Sequence, residues 1–555
     1  MSTFLRLTLA TLRVENILLV IGAWYLLAFA PCSFATSPKL DCKSLASMTI
    51  PQTTIVSAEL VGAGTFKTPS GDPLPDLKTF CRVEGIAKPS SDSDIKFEVW
   101  LPAAEWNGRL WGAGNGGFAG DMPYDSLAAG LAEGYATVGT DTGHQGGPTD
   151  ASWAIGHPEK VLDYGYRAIH EVAVRAKLIL SAFYGRKATH AYFSSFSNGG
   201  RQGLMEAQRY PEDYDGIIAG APVIDYTHLF AGFASIDFIW LRAKGGYFPP
   251  SKLPAIQAAA LAACDRIDGI EDGVIDDPRR CTFDPSALLC QGAETDQCLT
   301  QPQLAALRTI YKGQVLADGT TLHGYSPGAE TGSGNWSWSG WITGSFMPGS
   351  PQGDTGFHEF AYGYFGSFVF ENPKWNFHTF DPDRDVQVAD KKLASILNAT
   401  DPDLSKFAAH GGKLILYHGW DDQGIQPLAT VDYYEQVRDT IGQKATADSV
   451  RLFMVPGMMH GFGGPGPNSF GQFAAGAGDP NTKIGAALQR WVEEGIAPER
   501  IIATKRKANG DVARTRPLCA FPNVAHYRGA GSTDDAASFD CAPPPTIGLK
   551  PPSRN

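Results

Sequence analysis

Tyr192-Phe-Ser-Ser-Phe-Ser197-Asn-Gly-Gly-Arg-Gln-Gly-Leu204 is the stretch on which the fold turns. A β-prone run enters a Ser set among small residues and leaves in a segment suited to a helix. In that outline a sharp strand-to-helix turn holds the Ser hydroxyl clear of a sheet, and glycines relieve the crowding that side chains would cause. The pattern G-x-S-x-G reads here Ser195-Phe196-Ser197-Asn198-Gly199, with Ser in place of the first Gly. Taken alone, the segment also fits a Ser/Gly-rich helix N-cap.

The flanking sequence separates the two readings. Gln202 to Tyr210 reads as a short helix stopped by Pro211, and Tyr214 to Pro222 as the next buried strand. Further on, the apolar run Lys413-Leu-Ile-Leu-Tyr417 leads into His418-Gly-Trp-Asp-Asp422, which puts Asp422 just past the C-terminal edge of a parallel strand. A third run, Val450 to Pro456, leads into Gly457-Met-Met-His460 and a glycine-rich loop. The chain order Ser197, Asp422, His460 is that of an α/β-hydrolase core. The chemistry needs these three types together, because a neutral Ser hydroxyl is a poor nucleophile. An imidazole must take its proton, and a buried carboxylate must hold the imidazole in the right tautomer. The negative charge that develops needs backbone N–H donors, one after the nucleophile and one from an early glycine-rich loop, which points to Asn198 and Gly117.

At these residues the chain resembles the tannase and feruloyl esterase family of serine esterases, which includes a relative that hydrolyses a terephthalate monoester. The matching segments are Trp106 to Gly117, Thr140-Asp-Thr-Gly-His144, Ser197 to Leu204, Tyr214 to Pro222, Leu416 to Trp420, Pro456-Gly-Met and Thr515 to Cys519. The resemblance implies an enzyme acting on small-molecule esters of aromatic acids. Family members carry a Cys directly before the nucleophilic Ser and another directly after the catalytic His, joined as a disulfide. Here those positions hold Phe196 and Gly461. One large residue thus faces one absent side chain, so packing of Phe196 is expected to replace the tether and to leave the His460 loop more mobile than in relatives. Ser195 in place of the first Gly is tolerable if its φ is negative.

A second constellation, Cys264-Asp-Arg-Ile-Asp268-Gly-Ile-Glu-Asp272-Gly-Val274, sets acidic residues at short intervals among glycines. One such loop can wrap oxygens around a hard cation at ~2.3–2.6 Å, as Ca2+ prefers, although the spacing is not that of an EF-hand. A solvated acidic turn is the competing reading. By resemblance the ligands of a structural calcium are the carboxylates of Asp265, Asp268 and Asp272 and the backbone oxygens of Ile270 and Val274. No His joins the cluster, which disfavours a catalytic metal.

The amino terminus carries Arg6 and Arg13, then 14 apolar residues from Ile17 to Ala30, then Ser33-Phe-Ala35. Residues 1–35 read as a signal peptide, since the run is shorter than the ~20 residues needed to span a bilayer. Pro31 before Cys32 disfavours a lipoprotein site, so an exported chain without a stable membrane anchor is expected, in periplasm or medium. Cleavage leaves eight of the nine cysteines, an even number suited to an oxidising compartment. Eight cysteines allow ~105 pairings; the resemblance implies Cys42–Cys81, Cys264–Cys281, Cys290–Cys298 and Cys519–Cys541. The formal charge is −12 for the whole chain and −13 without residues 1–35 (44 basic minus 57 acidic residues), which disfavours nucleic acid as a partner. Oligomeric state stays open.

The gap from Ser197 to Asp422 is far longer than a strand connection, so residues 224–384 are expected to form a lid inserted into a catalytic domain of residues 36–223 and 385–555. The lid is dense in aromatics, notably Asn335 to Ile342 and Phe357 to Phe370. By resemblance Trp341 and Phe360 line the acyl site, against the plainer reading of aromatic lid core. The terephthalate-monoester relative offers a basic residue just before the position of Phe360, whereas no Lys or Arg occurs here from Ser345 to Pro373. Phenolic acyl groups, feruloyl first and galloyl second, are therefore expected over terephthalate. A non-catalytic, calcium-stabilised binding protein for aromatic esters or glycosides and an acyltransferase are the alternatives.

Overall fold

The computed structural model describes residues 40–332, 336–345 and 354–544. The expected export segment, residues 1–35, lies outside them. A nine-stranded sheet runs in the order β1-β2-β3-β5-β4-β6-β7-β10-β11. β1 (Thr53–Val61), β2 (Phe80–Ala87) and β3 (Ile95–Pro102) pair antiparallel, and β3 meets β5 (Ala136–Thr140) antiparallel. β5, β4 (Arg109–Ala113), β6 (His190–Phe196), β7 (Gly216–Gly220), β10 (Lys413–Gly419) and β11 (Val450–Val455) are all parallel. The lid contributes the ribbon β8 (Gln314–Val315) and β9 (Thr321–Leu322), and the carboxyl-terminal part adds β12 (Arg500–Arg506), β13 (Val512–Cys519), β14 (Val524–Tyr527) and β15 (Phe539–Ala542) in two further ribbons.

The strand sequences explain why the sheet is covered on both faces. Phe193, Ile217, Leu414, Leu416 and Leu452 pack on one side with the helices Ala168–Tyr184, Asn198–Arg209 and Pro427–Ile441. Their alternate neighbours Tyr192, Ile218, Ile415, Tyr417 and Phe453 pack on the other with the helix Ile484–Glu494. Successive side chains of a strand point to opposite faces, so a parallel strand buried on both sides is apolar throughout. This is an α/β-hydrolase core with a lid. The described residues between β7 and β10 add no strand to the nine-stranded sheet. They form an apolar cluster of their own, which reaches the catalytic part through Phe118, Ala151 and Tyr164.

The helix after Ser197 starts at Asn198, four residues before the expected start at Gln202, because the turn itself feeds directly into it. Cys42–Cys81, Cys264–Cys281, Cys290–Cys298 and Cys519–Cys541 are the four disulfides. No described helix is long and apolar enough to cross a membrane.

Candidate active site

Register places the candidate residues on one edge. Phe196 pairs with Gly220, Tyr417 with the same Gly220, and Gly419 with Val455, so the residues that follow β6, β10 and β11 all leave the sheet at its C-terminal side. Ligands in open parallel sheets bind outside that edge. Ser197 takes φ 63° and ψ −129°, between the end of β6 and the start of the helix Asn198–Arg209. A non-glycine residue there costs on the order of 1–3 kcal/mol and persists only where its surroundings impose it. Here the Ser197 N–H bonds Gly220 O at 2.9 Å, while Ser197 O accepts from Arg201 N and Val223 N. Ser195 has no positive φ, which is why it can stand where the turn pattern has Gly.

His460 and Asp422 meet in the core, 3% and 1% exposed. His460 Nδ1 and Asp422 Oδ2 are 2.8 Å apart, and Asp422 Oδ1 accepts from the N–H groups of Gly424 and Ile425 at 2.8 Å each. Burial alone would raise the Asp422 pKa; the charge of His460 and the bonds from His418 and His460 outweigh it and hold the carboxyl well below the usual carboxylate range. His418 Nε2 lies 3.2 Å from Asp422 Oδ2. Gln423, fully buried, accepts the His460 N–H with Oε1 at 3.2 Å and donates from Nε2 to Trp336 O at 2.6 Å.

The Phe196 ring lies 5.4 Å from that of His460 and 5.4 Å from that of Phe473. A Cβ on Gly461 would stand 2.7 Å from Phe196 Cδ2, so the ring fills the space that a side chain at 461 would need. Packing of Phe196 thus joins the serine turn to the histidine loop.

The glycine loop 114–117 folds over the turn. Gly117 has φ 53°, and a Cβ there would meet Pro148 O at 2.3 Å. Carbonyls at the end of the loop have partners: the Tyr164 hydroxyl lies 3.1 Å from Gly117 O, and His144 Nε2 lies 2.8 Å from Phe118 O. Burial pulls His144 down to about 4, so its ring is neutral and Nε2 is the donor. Asn115 N donates to Gln202 Oε1 at 2.9 Å. The N–H groups of Gly117 and Asn198 have no acceptor among the described residues. Two such donors can receive a developing oxyanion.

Trp341 and Phe360 are both buried, and their rings stack at 5.5 Å. Trp341 also meets the His460 ring edge-on at 5.8 Å. A cleft of about 650 Å³ adjoins the end of β6, walled by Ser195, Phe196, Gly116, Tyr124, Gln472 and Phe473.

In the acidic loop, Asp265 accepts from Asp272 N at 3.1 Å and Gly273 N at 3.0 Å, and Asp272 Oδ2 is bonded by Arg514 Nη1 at 2.9 Å and by Arg516 Nη2. The donors are oxygens only, which suits a hard cation. Burial and then neighbouring carboxylates push Asp276 up to about 7, and burial, with Asp272 contributing, pushes Asp268 to about 6, both against the opposing charge of Arg516. Among described side chains, only His170, Glu206 and Asp213 bring three ligand-type groups within 4.8 Å, so Asp265, Asp268 and Asp272 do not converge that tightly. His170 Nδ1 and Asp213 Oδ2 are 2.5 Å apart, a hydrogen bond, whereas two ligands of one ion sit roughly 3 Å apart.

The family model for tannase and feruloyl esterase matches residues 81–542. The chain belongs to the tannase and feruloyl esterase family. Within the family, it is 43% identical to an uncharacterized esterase of Xanthomonas campestris, over 92% of both chains. It is 34% identical to the mono(2-hydroxyethyl) terephthalate hydrolase of Piscinibacter sakaiensis, over 84% of this chain and 86% of that one. The crystal structure of feruloyl esterase B from Aspergillus oryzae superposes with a TM-score of 0.82 at 29% identity, covering 90% of this chain and 99% of that one. Membership makes the chain an esterase by family, acting on small-molecule esters. His418, Gln423, Tyr164 and Arg201 were not singled out by sequence reading. Gln423 is signalled only by adjacency to Asp422 and Arg201 only by lying in the serine motif, while Tyr164 carries no local signal at all.

Proposed function

We propose that the chain is an exported serine esterase that hydrolyses esters of hydroxycinnamic or hydroxybenzoic acids through an acyl-enzyme. The observation that carries the reading is the strained Ser197, on the same sheet edge as the buried Asp422–His460 pair, with the N–H groups of Asn198 and Gly117 lacking acceptors among the described residues. Ser197 Oγ attacks the ester carbonyl as its proton passes to His460 Nε2, and the carbonyl oxygen becomes an oxyanion facing Gly117 and Asn198. Collapse breaks the C–O bond, and the alcohol leaves with the proton from His460. Water, deprotonated by the same imidazole, then releases the acid and restores Ser197. Asp422 stays ionised throughout and fixes the His460 tautomer.

Trp341 and Phe360 support an aromatic acyl group, because stacked rings beside His460 offer faces and edges to a third ring. The absence of Lys and Arg from Ser345 to Pro373 favours a neutral phenolic acid, feruloyl before galloyl, over a terephthalate monoester. The lid, residues 224–384, sets this choice on the catalytic part, residues 36–223 and 385–555. We further assign a structural Ca2+ to Asp265, Asp268 and Asp272 with the backbone oxygens of Ile270 and Val274. When bound, it would add positive charge beside Asp265 and Asp268, in a loop where Asp272 is already paired with Arg514 and Arg516. Residues 1–35 serve as the export signal, and the four disulfides suit an oxidising compartment.

The test is turnover of methyl ferulate, methyl gallate, mono(2-hydroxyethyl) terephthalate and a plain p-nitrophenyl ester by the mature chain and by Ser197→Ala, with fluorophosphonate labelling of both. Turnover of an aromatic ester and labelling, both abolished by the substitution, are expected. Labelling unaffected by Ser197→Ala, or no turnover by a folded protein, would leave a binding protein as the better reading. Chelation by EGTA is expected to lower the unfolding temperature, with restoration by Ca2+ but not by Mg2+.

A further inference from the structure

Arg201 is fully buried, one turn into the helix that Ser197 starts. Its guanidinium bonds neutral oxygens only: Nε donates to Asn198 Oδ1 at 2.8 Å, Nη1 to Gly165 O at 2.6 Å and Leu397 O at 3.4 Å, and Nη2 to Tyr164 O at 3.1 Å. It lies over the rings of Tyr164 and Tyr226, 4.9 and 5.3 Å from their centroids. Arg201 forms no ion pair among the described residues, although buried Arg elsewhere in the chain does, as Arg175 with Glu171. Removing a guanidinium from water without a counter-charge is costly, so a fold that keeps one has left a positive potential in place.

That potential adjoins the candidate oxyanion hole. Arg201 Nε holds the side chain of Asn198, whose backbone N–H is one free donor. Tyr164 Oη sits 3.0 Å from the same Asn198 Oδ1 and 3.1 Å from the carbonyl of Gly117, the residue with the other free donor. Tyr226 Oη, 2.8 Å from Tyr164 Oη, can donate to it and leave the Tyr164 proton for Gly117 or Asn198.

We propose that Arg201 and Tyr164 form one positioning unit for the oxyanion hole: Arg201 supplies a fixed positive charge that is neutralised only when the tetrahedral oxyanion forms, and the Tyr164 hydroxyl, wedged between Gly117 O and Asn198 Oδ1, shares its one proton between the two segments that carry the donors. Neither residue touches the substrate. The counter-charge is absent in the ground state and present in the transition state, so the unit acts on kcat and not on substrate affinity. The inference rests on the serine-esterase reading above.

The experiment compares wild type, Ser197→Ala, Arg201→Met, Arg201→Lys and Tyr164→Phe as mature, calcium-supplied protein. It measures kcat, KM and unfolding temperature on the best ester, and the affinity of an aryl boronic acid against that of the free product acid. Arg201→Met is expected to lose about 10- to 100-fold in kcat, less than loss of a direct donor, with KM held within about threefold. Boronate affinity should fall by a similar factor while product affinity holds, and Arg201→Lys should recover most of the loss. Tyr164→Phe keeps the ring under the guanidinium and is expected to lose about tenfold in kcat. A folded Arg201→Met with wild-type kcat, or Lys and Met variants impaired alike, overturns the proposal. Should Arg201→Met fail to fold, Tyr164→Phe decides: unchanged kcat and boronate affinity overturn it. Activity surviving in Ser197→Ala would defeat the serine reading instead, whatever the Arg201 variants do.

Discussion

Gly117→Ala against Gly116→Ala separates the donor role of the glycine loop from its general shape. The two glycines are adjacent, yet an added methyl meets opposite fates. At Gly116 a Cβ has nothing within 4 Å, whereas at Gly117 it would stand 2.3 Å from Pro148 O and 3.0 Å from Pro148 C, on a residue at φ 53°. Left-handed backbone costs an alanine about 1–2 kcal/mol. The 2.3 Å approach must open to ordinary contact, so the loop moves by about 1 Å, enough to cost on the order of 10²-fold in a positioned reaction. Loss of one oxyanion donor costs about 10²–10³-fold in kcat, or ~2.7–4 kcal/mol. The two effects are one displacement seen twice, so they do not add. Gly117→Ala is expected to retain ~0.1–1% of kcat at near-normal KM, while Gly116→Ala changes stability by less than ~0.5 kcal/mol and keeps most activity. The assay is steady-state hydrolysis of methyl ferulate, with thermal unfolding to verify folding. Equal kcat in the two folded variants would refute the assignment of Gly117 as a donor.

Asp422→Asn should keep the fold and reduce kcat by about 10⁴-fold, because an amide favours the wrong His460 tautomer; a loss under tenfold would contradict the role. Phe196→Cys with Gly461→Cys should form a disulfide, adding ~2–4 kcal/mol less the ~1 kcal/mol of a Cys at φ 74°; two free thiols after oxidation would show that the backbones are too far apart. His228 lies between Asp225 Oδ2 at 2.7 Å and Asp390 Oδ2 at 3.0 Å; burial opposes its charge, but these two carboxylates prevail and lift it to about 10. A raised pKa stabilises the fold fully below the ordinary value of ~6.5 and loses that contribution as pH rises through the folded value. The stability advantage of wild type over His228→Gln should therefore be largest at pH ~6 and disappear between pH ~6.5 and about 10, and a difference flat in pH would rule the ion triad out.

The legible part of the site was the part written in contiguous residues. Asp422 and His460 each follow an apolar run that reads as a buried strand, and Ser197 follows a β-prone run whose reading the flanking helix and strand settle. Gly117 was legible only together with the serine turn, because by itself a glycine-rich loop after a strand reads as an ordinary turn. Tyr164 and Arg201 were not, since a Tyr in a helical stretch and an Arg in a motif look like core and surface until a neighbour gives them a role. His418 was read only as part of a strand end, yet its ring bonds the carboxyl of Asp422, four residues on. The helix start was misplaced because Asn-Gly-Gly has poor helix propensity, and the turn geometry at Ser197 overrides it.

Two-residue alternation, turn glycines and the order of chemistry-bearing residues are local properties, and the sequence by itself determined the α/β-hydrolase core and singled out Ser197, Asp422 and His460 as the candidate serine, acid and histidine. Only the tertiary structure decided that Asp422 and His460 share a hydrogen bond, that Phe196 fills the space at Gly461, and that the Arg201 guanidinium, without an ion pair among the described residues, bonds the side chain of Asn198. Those contacts join segments up to hundreds of residues apart, through β6, β7, β10 and β11 aligned in one register. Their energies come from burial and from charges left without partners, which no single segment of the chain contains.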